Sequence, residues 1–115
     1  MSRSSELYLR DILDAADAIA DFVRGQTSRD LEGDRKTRDA VVRNLEVIGE
    51  AVKRLPPEIL EAWPDVDWSG WARMRDVVAH QYFGVDVDVI WNAVQEELPG
   101  LVAATRALLD SGPQV

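Results

Sequence analysis

Apolar residues recur along this chain at spacings of three and four, the period of a helix face, and they seldom alternate. Between Ser5 and Arg24 the stripe is Leu9, Ile12, Ala16, Ile19 and Val23, flanked by Leu13 and Ala20. Asp11, Asp14, Asp17 and Asp21 run along the other side. Ser4 or Ser5 supplies a capping hydroxyl and Gly25 a stop. Residues 26–33 read as a connector with one helical turn capped by Ser28. A second helix is expected from Asp34 to Leu55, with Val41, Leu45, Ile48, Val52 and Leu55 as its buried stripe. Gly49 sits inside it, where glycine costs about 1 kcal/mol relative to alanine. It is either a tolerated imperfection or the place where another helix crosses too closely for a side chain. Glu46 and Glu50, one turn apart beside it, can line a polar cleft.

Pro56 and Pro57 end that helix, and Glu58 to Ala62 can form a short turn with Pro57 at its first position. Pro64 breaks the chain again. Asp67 or Ser69 starts the next helix, which buries Trp71, Met74 and Val78 and stops at Gly84. The run Val85 to Val89 alternates as a strand would, but no other segment offers it a strand partner. Asp86 or Asp88 is therefore read as the cap of a helix carrying Val89, Ile90, Ala93 and Val94. Pro99 interrupts or kinks that helix before Leu101, Ala104, Leu108 and Leu109 continue it, and residues 111–115 read as a frayed tail. The expected fold is all-α, a single domain over residues 1–115 built as an antiparallel bundle of about four to five helices. So short a bundle leaves little independent core, and a helix-mediated homodimer is expected.

Composition narrows the function classes. Apolar residues are 46% and charged residues 30% of the chain, ordinary for a globular helical domain. No apolar run approaches the roughly 20 residues of a membrane span, and the N-terminus lacks the apolar stretch of a secretory signal. The expected location is cytoplasmic, with no membrane partner. With no cysteine, thiolate metal sites and cysteine nucleophiles are excluded. The Asp11–Asp21 stripe has no histidine or glycine-rich loop nearby, so it reads as a solvated face rather than a cation site; no metal or cofactor is expected.

A net charge of −8 argues against general nucleic-acid binding and against DNA as a partner, because phosphate neutralisation supplies most non-specific affinity. The charge is uneven. Residues 34–55 hold six basic side chains against four acidic, whereas residues 56–115 hold three against ten. A polyanion would have to use the middle segment, and the acidic remainder suits a basic protein partner. Trp63, Trp68 and Trp71 fall within nine residues and favour a core or interface anchor over a base-stacking platform.

One stretch gathers titratable and aromatic groups, Trp68 to Gly84. It contains the chain's only histidine, His80. Asp76 and His80 are one helical turn apart, close enough for a carboxylate to orient an imidazole. Arg75 and Tyr82 share a face, while Arg75 and His80 are separated by about 140° around an ideal helix. Arginine holds phosphate through a planar fork of donors. Histidine can move a proton to or from a ribose hydroxyl or a leaving oxygen. Together they are the minimum for metal-independent RNA cleavage with the 2′-hydroxyl as nucleophile. The same residues also admit a structural account: a histidine near a helix C-terminus interacts favourably with the dipole, and Arg75–Asp76 is then a surface ion pair.

The segment Arg75-Asp76-Val77-Val78-Ala79-His80-Gln81-Tyr82 resembles the Arg-x4-His-x-Tyr motif of HepT-like toxins, in the HEPN superfamily of helical ribonucleases. Ile48-Gly49-Glu50-Ala51, Trp68, Tyr82-Phe83-Gly84 and Leu98-Pro99 fall in matching order, so the resemblance spans nearly the whole chain. It implies a HEPN-like bundle and an endoribonuclease with Arg75 and His80 as the catalytic pair and Asp76 as the supporting polar residue. It further implies a homodimer whose cleft joins two motifs, which answers the 140° separation. The resemblance also implies a partner, a minimal nucleotidyltransferase antitoxin that silences the toxin by adding AMP to Tyr82, as in a type VII-like toxin–antitoxin pair. Bulky, anionic AMP would block the cleft and repel RNA phosphates. The competing class is a non-catalytic, dimeric helical module that docks a protein partner, suited to the acidic surface and the tryptophan cluster.

Overall fold

A computed structural model describes residues 1–80 and 86–111, excluding the side chains of Ala79 and His80. Every regular element among the described residues is a helix: α1 (Arg3–Val23), α2 (Ser28–Gly33), α3 (Arg35–Lys53), α4 (Pro57–Glu61), α5 (Trp68–His80), α6 (Val87–Asn92), a π-helical segment (Ala93–Glu97) and α7 (Leu98–Asp110). The bundle expected from periodicity is present, with α2 and α4 as short additions to the long helices. The tail beyond Ser111 and the Gly84 stop lie outside the described residues.

The helix starts show which polar side chain wins each cap. Ser2, not Ser4 or Ser5, caps α1, its Oγ accepting from the Ser5 amide at 3.1 Å. Ser5 is instead buried and bonded to the Ser2 hydroxyl. Thr27, not Ser28, caps α2 through a reciprocal pair: the Asp30 amide donates to Thr27 Oγ1, and the Thr27 amide donates to Asp30 Oδ2. Asp34 caps α3 by accepting from the Thr37 amide, Asp67 caps α5 by accepting from the Gly70 amide at 3.0 Å, and Asp86 caps α6. Gly25 leaves α1 with φ +76, the left-handed region only glycine enters freely.

Pro99 interrupts the regular α-helix, as expected, although the helical run continues through the interruption. It has no N–H to donate and its ring crowds the carbonyl four residues back, so a regular α-turn fails there. The chain widens instead, with the Leu98 amide donating to the Ala93 carbonyl five residues back, and Pro99 then occupies the opening turn of α7.

α3 is the central element, packed against α1 on one side and α5 on the other, while α7 covers α1. Leu9, Ile12, Ala16, Ile19 and Val23 meet Val41, Leu45, Ile48, Val52 and Leu55 in one continuous core. Ala20 is an exception to the expected stripe: it is exposed, and Ala15 is buried in its place. Trp68 and Trp71 belong to the core and Trp63 is partly exposed; the Trp68 indole donates to the Trp63 carbonyl at 2.9 Å. Two of the three clustered tryptophans are therefore anchors, with the polar edge of Trp68 satisfied.

Candidate active site

Where α3 crosses α5, the Gly49 backbone lies directly against Arg75. A Cβ built on Gly49 would overlap Arg75 Cβ and come within 2.8 Å of the Trp71 carbonyl oxygen. Of the two readings of this glycine, the close crossing is the one that holds. Trp71 and Val78 bury the inner face of α5 and fix its rotation; Met74, also expected inside, is only partly buried. Arg75 and Asp76 are thereby turned toward the edge of α3.

Both make ion pairs across that edge. Arg75 Nε lies 3.3 Å from Glu50 Oε2, and Arg75 Nη1 lies 3.4 Å from Asp76 Oδ1. Lys53 Nζ donates to Asp76 Oδ1 at 2.6 Å. Glu50 is engaged on its other oxygen by Arg54, whose Nη2 is 3.0 Å from Oε1. Glu50 thus bridges two guanidiniums, one from its own helix and one from α5. These side chains are between a third and six-tenths exposed, so the pairs orient groups more than they stabilise the fold. Lys53 beside Asp76, helped by Arg75, holds its carboxyl below the usual carboxylate range. Glu50, with Tyr8, keeps the Arg54 guanidinium protonated even more firmly than usual.

A cleft of about 260 Å³ opens beside Arg75, lined by Tyr8 and Asp11 of α1 and by Arg43, Glu46, Glu50 and Arg54 of α3. Glu46 and Glu50 do line a cleft, as their spacing suggests, but Val47 and Ala51 beside them make much of its wall apolar. Tyr8 is the addition that sequence spacing did not reveal, because its place depends on the non-local packing of α1 on α3. Lys53, too, was legible only as part of a basic segment. That segment proves largely neutralised: Arg35 pairs with Asp39, Arg43 approaches Glu46, Lys53 takes Asp76 and Arg54 takes Glu50. Arg38 donates to the Leu31 and Glu32 carbonyls.

Of the four sequence-derived site residues, Arg75 and Asp76 are brought together at this crossing. His80 is the last described residue of α5, its imidazole is outside the described groups, and Tyr82 lies outside the described residues. Asp11, Asp14, Asp17 and Asp21 are all exposed, as a solvated face requires. No group of three or more metal-ligating side chains gathers among the described residues, and none of their helices is long and apolar enough to cross a membrane.

Sequence comparison points the same way as the motif. The family described as ribonuclease HepT-like matches residues 12–108. The chain is 46% identical over 101 residues to a probable ribonuclease HepT of Thermococcus cleftensis, covering 88% of this chain and 92% of that protein. It is 45% identical over 92 residues to a putative RNase of Methanocaldococcus jannaschii, covering 80% and 76%. A putative RNase of Caldanaerobacter subterraneus is 39% identical over 102 residues, covering 89% and 91%. No solved structure matches the chain.

Proposed function

The chain belongs to the ribonuclease HepT-like family, and we propose that it is a metal-independent endoribonuclease toxin acting as a homodimer, with Arg75 and His80 as its catalytic pair. The observation that carries this reading is the placement of Arg75. A guanidinium held along one edge by Glu50 at a rigid helix crossing is pre-oriented to receive a phosphate, with little rotamer freedom left to lose.

In the proposed reaction Arg75 holds the scissile phosphate and offsets the charge that builds on it. A 2′-hydroxyl attacks the adjacent phosphorus, giving up its proton, and the bond from phosphorus to the 5′-oxygen breaks. The departing oxygen takes a proton, leaving a 2′,3′-cyclic phosphate on one fragment and a 5′-hydroxyl on the other. A single imidazole cannot be proton acceptor and proton donor in the same instant. Two copies of His80, one from each protomer, divide these roles, with Asp76 as the supporting carboxylate.

Silencing follows from the same motif. A nucleotidyltransferase partner would direct the Tyr82 oxygen to the α-phosphorus of ATP. Pyrophosphate leaves, the phenolic proton is lost, and AMP remains on the tyrosine. The test pairs two readouts. RNA cut in the presence of EDTA should carry cyclic phosphate and 5′-hydroxyl ends, and co-expression with an adjacent nucleotidyltransferase should add the mass of AMP to wild type but not to Tyr82→Phe. Cleavage abolished by chelation contradicts the metal-independent chemistry; an unchanged mass beside an active transferase contradicts the silencing.

The pairing of the α3 cations and the net charge of −8 favour one other reading, a non-catalytic dimeric module that docks a protein. Growth inhibition on expression, relieved by His80→Ala, separates the two, since a docking module has no use for the imidazole.

A further inference from the structure

We propose that the cleft beside Arg75 is a base subsite, in which Glu46 selects guanine at the nucleotide next to the scissile phosphate. The proposal rests on the ribonuclease reading and assigns that activity a sequence preference.

The cleft's volume, about 260 Å³, is below the roughly 300–1,000 Å³ typical of sites for drug-sized ligands, and suits a single heterocycle better than a whole nucleotide. Arg75 forms one wall, so a phosphate held there places an attached nucleoside at the cleft mouth. The two glutamates inside are not equivalent. Both oxygens of Glu50 are engaged, Oε1 by Arg54 and Oε2 by Arg75. Glu46, one helical turn earlier, has among the described residues only a 3.8 Å approach from Arg43, beyond hydrogen-bond distance. Its side chain is 27% exposed, so it faces the cleft with two acceptor oxygens in reserve.

A partly buried carboxylate of this kind repels phosphate and favours a neutral ring with N–H donors. Two neighbouring donors match its two oxygens, and among the four RNA bases only guanine presents such a pair on its Watson–Crick edge, from N1 and the exocyclic amine. Adenine and cytosine offer one donor beside an acceptor, and uracil one donor between two carbonyls. Tyr8 supplies the aromatic wall of the cleft, beside Arg54. An aromatic side chain and an edge-reading polar group are the pair by which proteins recognise unstacked RNA bases.

The test maps every cut in a pool of single-stranded RNAs randomised around the cleavage position. Wild type is expected to favour guanine about tenfold on one side of the cut, the discrimination of one bidentate contact. In Glu46→Gln, which presents one acceptor and one donor, guanine-flanked cuts should fall about tenfold relative to the other cuts. Guanosine monophosphate should inhibit wild type more strongly than the other three nucleoside monophosphates, a readout that needs no variant to fold. A guanine preference that survives Glu46→Gln, or equal inhibition by all four monophosphates, overturns the subsite and leaves the ribonuclease reading standing. A wild-type protein that cuts none of the pool overturns both.

Discussion

Gly49 of α3 and Arg75 of α5 touch backbone to side-chain root, and this contact couples the fold of the protein to its candidate chemistry. The missing side chain at Gly49 lets the helices approach until the Trp71 carbonyl would stand 2.8 Å from a methyl placed there. The approach brings Glu50, the next residue of α3, within 3.3 Å of the Arg75 guanidinium. A glycine that weakens its own helix thereby sets the position of an arginine on another.

Gly49→Ala should therefore destabilise the protein despite alanine's higher helix propensity. The propensity gain is about 1 kcal/mol, whereas forcing a group into a filled crossing costs about 1–3 kcal/mol. The obstruction includes α5 backbone, so the helices must part rather than a side chain rotate. Urea unfolding should give a midpoint below wild type; an equal or higher midpoint would show that the crossing is loose.

Glu50 is expected to act through Arg75. Removing the carboxylate in Glu50→Ala takes away the guanidinium's partner on α3 and leaves it only the neighbouring Asp76, and a misplacement of about 1 Å at a reacting centre can cost about a hundredfold in rate. RNA cleavage should fall in the order wild type, Glu50→Gln, Glu50→Ala, chiefly in kcat, while the unfolding midpoint barely moves because the pair is exposed. Cleavage by Glu50→Ala at the wild-type rate would remove Glu50 from the account.

Acid stability follows from two carboxylates held below their ordinary value of 3.8: Asp34 by its hydrogen bonds from Thr37, and Asp76 by Lys53. A carboxyl whose folded value is depressed contributes stability in full above the unfolded value, and that contribution is lost as the pH falls through the folded one. The unfolding midpoint should accordingly drop below about pH 4. Asp34→Asn keeps a capping oxygen for α3 but cannot titrate, so its acid limb should be shallower than wild type. Parallel acid limbs would contradict the assignment.

The helices were readable because each stripe is local. Leu9 to Val23 and Val41 to Leu55 repeat the helix period within their own segments, and every residue of those two stripes is buried. The caps were less legible, since neighbouring serines and threonines compete: Ser2 displaces Ser4 and Ser5, and Thr27 displaces Ser28. The site was legible as a motif, through Arg75 and Asp76, but its surroundings were not. Tyr8, Lys53 and the two-sided grip on Glu50 arise where α1, α3 and α5 meet, and no spacing within one helix encodes such a meeting. Pro99 shows the limit from the other side. An interruption follows from the residue type, but the π form of the five residues before Leu98 does not.

The most direct measurement is cleavage of RNA in EDTA by purified wild type, Arg75→Ala and His80→Ala, each first shown to be folded. The account predicts cutting by wild type and a loss of at least about a hundredfold in each variant, since removing a positioned acid–base group or an oxyanion donor costs about that much. Cutting by either variant at the wild-type rate would contradict it.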